Sequence, residues 1–412
     1  MKILLITYYF PPCGGAPVQR WLRFIPQLLE RGCEITVLCS ENGDYPHLDH
    51  ALLDAVPPSV KVIRAHAPGW QRHWQSMFGT SKALPYGRIS RNGGVFYKTL
   101  IWLRMNVIVP DLRVFWNPYA LRAAKKELQK GHYDIVITTG PPHSSHLMGL
   151  TLQKRFAVDW YADFRDPWTD IHYLKLNPPS WLTMHIHKYL ETKVLARARG
   201  CLVVSQAIAD RLPPGNKRVI LNGYDPQDFT DLAYQKGDVF RIKYVGQLTA
   251  GQDPGILYRL CRAIKREYQL YMIGTRLSHQ EEHELFVNSR NRALLTPFMN
   301  HKVALKEMVE AELLLLIVND YEGNSGMLTT KLFEYLASRS PILCFSPESS
   351  AAARILETFD GTKVFKYDQI EEAAMWVDSL ALGYRTSGDL NPYSVQNQSD
   401  SLINVLQAKN ID

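Results

Sequence analysis

The sequence predicts an α/β protein built on two doubly wound parallel sheets, and three observations carry that prediction. Short apolar runs alternate with amphipathic segments along most of the 412 residues, as expected of parallel strands covered on both faces by helices. The alternation stops at a turn-rich polar stretch from Asn222 to Asp238 and starts afresh at Phe240. The length also exceeds what one hydrophobic core usually supports. The expected division is 1–232, 233–392 and a C-terminal helix over 393–412 that packs back on the first domain.

In chain order, Ile3–Thr7 reads as a first buried strand, followed by a Pro- and Gly-containing loop and an amphipathic helix over Val18–Arg31 that Gly32 stops. Glu34–Cys39 and Val60–Arg64 read as strands. Pro118–Gln129 suits a helix, with proline at its start where the missing N–H does no harm. Tyr133–Thr138 is a strand, a helix runs to Arg155, and Val158–Ala162 is the next strand. Trp181–Arg199 reads as a long helix and Cys201–Ser205 as a strand. The second run has a strand over Phe240–Gly246, a helix over Ile256–Tyr268, a strand over Gln269–Ile273 and a helix over Leu305–Ala311. It continues with a strand over Leu313–Val318, a helix from Thr329 or Thr330, and a strand over Ile342–Phe345. Beyond Pro392, Val395, Leu402, Val405 and Leu406 fall at helical spacing.

Composition excludes several classes. Hydrophobic residues make up 46% and charged residues 21%, ordinary values for a globular protein. The N-terminus has no long apolar region with a small-residue cleavage site, so no secretory signal is expected. No apolar run reaches the roughly 20 residues of a membrane-spanning helix. The 6 cysteines are scattered without a C-x-x-C pair, which suggests free thiols in a reducing cytoplasm and argues against zinc. The net charge of +7 is uneven: Trp70 to Arg113 holds Arg72, Lys82, Arg88, Arg91, Lys98, Arg104 and Arg113 against one acid, Asp111. Aromatic residues are interleaved with these bases. That mixture suits peripheral contact with an anionic membrane, or a solvated excursion; no nucleic-acid motif accompanies it.

Ligands of open α/β sheets bind outside the carboxyl ends of strands, so the loops after strands matter most. Gly14-Gly15, after the first strand, lets a ligand approach the backbone, but many such loops carry glycine for the turn alone. The pattern is not G-x-G-x-x-G, which lowers the case for a nicotinamide or flavin. His143, after Gly140-Pro-Pro, is placed to exchange a proton or bond a hydroxyl; a turn histidine is the plainer account. Asp163, Arg165 and Asp166 crowd charge into one loop. The two acids suit positioning a hydroxyl nucleophile, and an internal Arg–Asp pair that only orders the loop fits equally well. Gly246-Gln247 to Gln252 opens the second run. Finally, the loop ending at Thr329 leads into a helix with Lys331 in its first turn and Glu334 one turn on. A helix N-terminus with a nearby lysine is a ready phosphate site, and an acid one turn away can take a diol.

Taken together these pieces resemble glycosyltransferase family 4. The matching segments are Ile3-Leu-Leu-Ile-Thr-Tyr-Tyr-Phe-Pro-Pro-Cys-Gly-Gly15, Arg31-Gly-Cys-Glu-Ile-Thr-Val37 and Val204-Ser-Gln-Ala-Ile-Ala-Asp-Arg-Leu212. Val219-Ile-Leu-Asn-Gly-Tyr-Asp225, Tyr244-Val-Gly246 and Lys331-Leu-Phe-Glu334-Tyr-Leu-Ala complete the series. The resemblance implies the GT-B fold, two Rossmann-like domains facing a central cleft. It implies retaining transfer of a sugar from a nucleotide-sugar donor, held by the second domain, to a glycan or lipid-linked acceptor held by the first. No cofactor or metal is then expected, and the setting would be surface-polysaccharide or glycolipid assembly on the cytoplasmic membrane face. Glu334 would bind the ribose, and Thr329 and Thr330 would offer N–H groups to the diphosphate beside Lys331. Gly14, Gly15, Gly246, Gln247 and Arg276 would complete the donor contacts. Asp163, with Asp166 and His143, is the expected catalytic group.

Three departures stand out. The family's Glu-x7-Glu lacks its first acid, because Gly326 stands eight residues before Glu334. Gln247 and Gln252 replace the usual arginine and lysine. Asp163-Phe-Arg-Asp166 stands where a histidine segment is usual. A sugar-nucleotide epimerase of the same fold, or a non-catalytic nucleotide-binding protein, is the alternative. The basic–aromatic stretch favours a transferase with a lipid-linked or polymeric acceptor.

Overall fold

The computed structural model describes residues 1–45, 48–69, 95–171, 174–175, 177–248, 252–318, 328, 330–348 and 350–408. Thr329, Gly326 and residues 70–94 of the basic–aromatic stretch lie outside these. The chain forms two compact units, Met1–Leu221 with the chain from Ser399 onward, and Asn222–Gln398.

The first unit carries a seven-stranded sheet in the order β3-β2-β1-β4-β5-β6-β7. Its strands are β1 (Lys2–Ile6), β2 (Glu34–Glu41), β3 (Lys61–His66), β4 (Ile135–Gly140), β5 (Asp159–Phe164), β6 (Gly200–Val203) and β7 (Lys217–Val219). All neighbours pair in parallel. β1 and β4 are buried almost throughout, and Ile3–Ile6 and Ile135–Ile137 within them read as apolar runs. Its helices are α1 (Ala16–Glu30), α2 (Val95–Val107), α3 (Asn117–Lys130), α4 (Ser144–Phe156), α5 (Trp181–Arg197) and α6 (Gln206–Arg211). α4 packs Gly149 so closely on Trp160 of β5 that an added Cβ would fall 2.0 Å from the indole. The strand β7 and the helices α2 and α6 are absent from the sequence reading; β7 and α6 are too short for periodicity to show.

The second unit carries a six-stranded parallel sheet in the order β10-β9-β8-β11-β12-β13. It comprises β8 (Phe240–Val245), α7 (Gly255–Ala263), β9 (Tyr268–Ile273), α8 (His279–Asn288), β10 (Ala293–Thr296), α9 (His301–Val309) and β11 (Leu313–Ile317). α10 (Thr330–Ala337), β12 (Ile342–Phe345), α11 (Ala351–Leu356), β13 (Thr362–Phe365) and α12 (Ile370–Ser379) follow. Its core joins both helical layers to the sheet through fully buried Tyr244, Leu270, Leu313 and Leu343. The expected helix over Ile256–Tyr268 is shorter: α7 ends at Ala263, where Ile264 turns extended and the chain enters β9. β10, α8 and everything from α11 to α12 are absent from the sequence reading; β10, α11 and β13 are too short for periodicity to show.

The C-terminal helix α13 (Val395–Gln407) lays its last turns on the first unit. Asp400 pairs with Arg31 at 2.6 Å, and the Tyr161 hydroxyl donates to the Val405 carbonyl. All six cysteines are buried and unbonded.

Candidate functional site

In each sheet the strand order reverses once, and the crevice outside the strand ends at that point is the usual ligand site. In the second unit it lies between β8 and β11. Gly246, directly after β8, has φ +116°, a conformation that favours glycine. A Cβ there would meet Lys331 Nζ at 2.9 Å. Lys331, in the first turn of α10, thus lies across the Gly246 backbone. Its ammonium sits 4.3 Å from the centre of the buried Tyr244 ring, a favourable cation–π distance. No carboxylate among the described residues is within ion-pair distance of it. Loss of hydration pushes the Lys331 pKa down to about 8, with Glu334 opposing the shift. Tyr335 holds α10 in place by accepting the Val245 N–H at 2.9 Å.

Glu334 is buried, and one carboxylate oxygen lies 3.0 Å from Nε2 of His301, the first residue of α9. Asn300 caps that helix by accepting the Val303 N–H. The pairing fixes where the Glu334 carboxylate points. Thr330 begins α10; Thr329 is outside the described residues. Gln247 spends its side chain on the neighbouring loop. It donates to the Gly274 carbonyl and accepts the Arg276 N–H at 3.1 Å, while Thr275 donates to the Gly246 carbonyl at 2.6 Å. These bonds stitch the β8 loop to the β9 loop, and the Arg276 side chain is left exposed. Gln252 donates to the carbonyl of Ile317, at the end of β11.

In the first unit the reversal lies between β1 and β4, whose following loops hold Gly14, Gly15 and His143. Gly15, at φ 89°, precedes α1, with Pro17 in the first turn. Arg165 ties these loops together, donating to the carbonyls of Pro17 at 2.7 Å and of Gly140 and Pro141.

Asp163 has no exposed surface. Its carboxylate accepts side-on from one edge of the Arg20 guanidinium, at 3.1 Å from Nε and 3.0 Å from Nη2. It also accepts from Trp21 Nε1 at 3.0 Å and from the Thr139 hydroxyl at 2.8 Å. Arg20 in turn donates to the carbonyls of Ile220 and Leu221. An ion pair does order this region, but the arginine comes from α1 and not from the neighbouring Arg165. Asp166 is half-buried two residues beyond β5.

His143 is buried and stacked on Trp168, ring centres 5.3 Å apart and ring planes nearly parallel. Neither of its ring nitrogens has a hydrogen-bond partner among the described residues. Burial, with His146, Arg165 and His187 adding repulsion, holds its pKa well below the ordinary histidine value, so the ring is neutral. Burial pushes His146 down to about 3; it shares a hydrogen bond with Thr138 at 3.0 Å. His187 is lowered to about 4, also by burial, and accepts from Trp168 Nε1 at 3.1 Å.

Sequence reasoning missed Arg20, Thr139, Tyr244 and His301. Arg20 had a readable signal: it sits amid Trp21, Phe24 and Leu28, so a charge falls beside the apolar stripe of a helix and calls for a buried partner. His301 had none.

No protein-family model and no curated protein matches this sequence. Solved structures do match its fold along nearly the whole chain. S. aureus TarM, determined with fondaparinux, alpha-GlcNAc-glycerol and UDP, aligns at TM-score 0.61 and 10% identity, covering 99% of this chain and 100% of that one. The lipopolysaccharide outer core galactosyltransferase WaaB aligns at 0.59 and 15% identity, covering 98% and 99%. HepE of Anabaena, determined with UDP and glucose, aligns at 0.57 and 13% identity, covering 99% and 95%. Identities this low establish the fold: the two-unit α/β architecture of the GT-B glycosyltransferases.

Proposed function

We propose that this protein is a retaining glycosyltransferase that takes a sugar from a nucleoside-diphosphate donor and transfers it to a glycan or lipid-linked acceptor, in surface-polysaccharide or glycolipid assembly. The observation that carries the reading is Lys331, lying across Gly246 at the strand reversal of the second unit without a carboxylate partner among the described residues. A partly dehydrated ammonium beside a helix N-terminus is set up for an anion. The leaving diphosphate gathers charge as the glycosidic bond breaks, and preorganised positive charge there lowers the barrier. Lys331 and the N–H groups at the start of α10 supply that charge in place of a metal. Glu334, steadied by His301, takes the ribose hydroxyls. Arg276, exposed after β9, adds a second cation. Two of the similar structures, TarM and HepE, were determined with UDP, which supports the same donor class here.

On the acceptor side Asp163 acts as a positioning residue. Its carboxylate is enclosed by Arg20, Trp21 and Thr139, and through Arg20 it holds the strand ends in register. Asp166 and the neutral His143 are the groups assigned to meet an acceptor hydroxyl.

Calorimetric titration with UDP, GDP and ADP tests the donor reading. At least one should bind in the micromolar range, and Glu334→Ala should weaken it about tenfold, ~1.4 kcal/mol. Failure of all three to bind, or unchanged affinity in the variant, refutes the assignment.

The lysine predicts a pH dependence. Its ammonium is mostly charged at pH 7 and mostly neutral at pH 9, given a pKa of about 8. Affinity for the diphosphate should therefore fall up to about tenfold across that interval, and Lys331→Met should abolish the slope. A flat wild-type profile would exclude Lys331 from phosphate contact.

A further inference from the structure

Helix α5 is turned inside out over its first three turns. Its inward positions are polar: Thr183, His187 and Glu191 are buried. Each is satisfied there, Thr183 by Ser180 and Asn106, His187 by Trp168, and Glu191 by the Thr169 N–H and hydroxyl. The outward stripe is apolar instead: Trp181 is 74% exposed, Leu182 and Tyr189 62%, and Ile186 41%. At 100° per residue these four lie within one face of the helix, with Lys188 bordering the stripe beside Trp181 and Lys193 lying within it. Lys193 Nζ stands 5.4 Å over the Tyr189 ring.

The same character continues on α2. Asn106 of α2 accepts the Ser180 N–H at 2.6 Å and the Thr183 hydroxyl, so the end of α2 abuts the start of α5. There Trp102 is 56% exposed and Val107 67%. Acids are missing: α2 has none, and the only one in α5, Glu191, faces inward.

We propose that this α2–α5 face docks on the surface of an anionic bilayer. Exposed tryptophan and tyrosine seat at the headgroup level, leucine and isoleucine reach the acyl boundary, and the two lysines meet lipid phosphates. Among the described residues no helix is long and apolar enough to cross a membrane, so the contact is a surface one. Charge argues against a second copy of the chain as the occupant. A two-fold interface would set this acid-free cationic face against itself and leave its lysines without partners. The inference is independent of the donor reading, because docking is scored without nucleotide.

Flotation of the full chain with phosphatidylcholine vesicles, with and without about 30% phosphatidylglycerol, tests it. The wild type should float with the anionic vesicles only, and raised salt should release it. The exposed-site variants Trp181→Ser with Tyr189→Ser, and Lys188→Glu with Lys193→Glu, should each lose at least tenfold in vesicle affinity. Their melting temperatures and UDP titrations should match the wild type, which separates lost docking from lost folding or a failed donor site. The proposal is overturned if the wild type ignores anionic vesicles or if both variants float like it. It is also overturned, in favour of a second copy, if the wild type dimerises at micromolar concentration and Trp181→Ser makes it monomeric.

Discussion

Asp163→Ala is expected to destabilise the first unit by about 3–5 kcal/mol, the usual result of removing one partner of a buried ion pair. Arg20 would remain with its charge buried, 3% exposed, beside the neutral carbonyls of Ile220 and Leu221. Trp21 Nε1 and the Thr139 hydroxyl would lose their acceptor as well, and an orphaned buried donor costs about 1–3 kcal/mol. The double replacement Arg20→Leu with Asp163→Leu removes both charges and should recover a substantial part of that loss. Urea unfolding of the wild type, the single variant and the double variant measures this. A single variant that loses less than about 1 kcal/mol yet abolishes sugar transfer would give Asp163 the chemical role that its burial argues against.

The protein is also expected to lose stability steeply in mild acid. His143, His146 and His187 are held neutral in the fold, the latter two with pKa values of about 3 and about 4. In the unfolded chain each returns to about 6.5. Between pH 6.5 and 4 the unfolded state therefore binds more protons than the folded one, and stability falls as pH falls. Each histidine costs about 1.4 kcal/mol per pH unit, so by pH 5 His146 and His187 each contribute a loss of about 2 kcal/mol, about 4 together, and His143 acts in the same direction. That is a large part of the usual 5–15 kcal/mol total. Two buried acids act in the opposite sense: burial raises Asp111 and Glu191, so they take up protons more readily in the fold and offset part of the loss at the acid end. Urea midpoints at pH 7, 6 and 5 should reveal the slope. His187→Gln, which keeps an acceptor for Trp168, should reduce it by about one proton; a slope unchanged by that variant would disprove the account.

Most of the strands could be read from the sequence because parallel strands buried on both faces leave apolar runs, as in Leu313–Ile317 and at the start of Ile135–Gly140. The loops after those strands were readable for the same reason, and Gly246, Lys331 and Glu334 came with them. What the side chains do in the loops was not readable. Gln247 reads as a donor contact, yet its amide is consumed by Gly274 and Arg276 in the adjacent loop. α5 reads as an ordinary helix, because nothing in its order of residues says that Thr183, His187 and Glu191 would find partners inside and leave Trp181 and Tyr189 in solvent.

The sequence by itself determined the fold class, the two runs of alternating strands and helices, and the stretches where a ligand would be met, since periodicity and glycine placement are local properties. Only the tertiary structure decided which charges are spent within the protein. Arg20 reaches Asp163 across 143 residues of chain and cancels it, whereas Lys331, among the described residues, lies over the face of Tyr244 and feels the carboxylate of Glu334 at a distance. Burial and pairing set the energy of a charge, and both depend on residues far apart in the sequence.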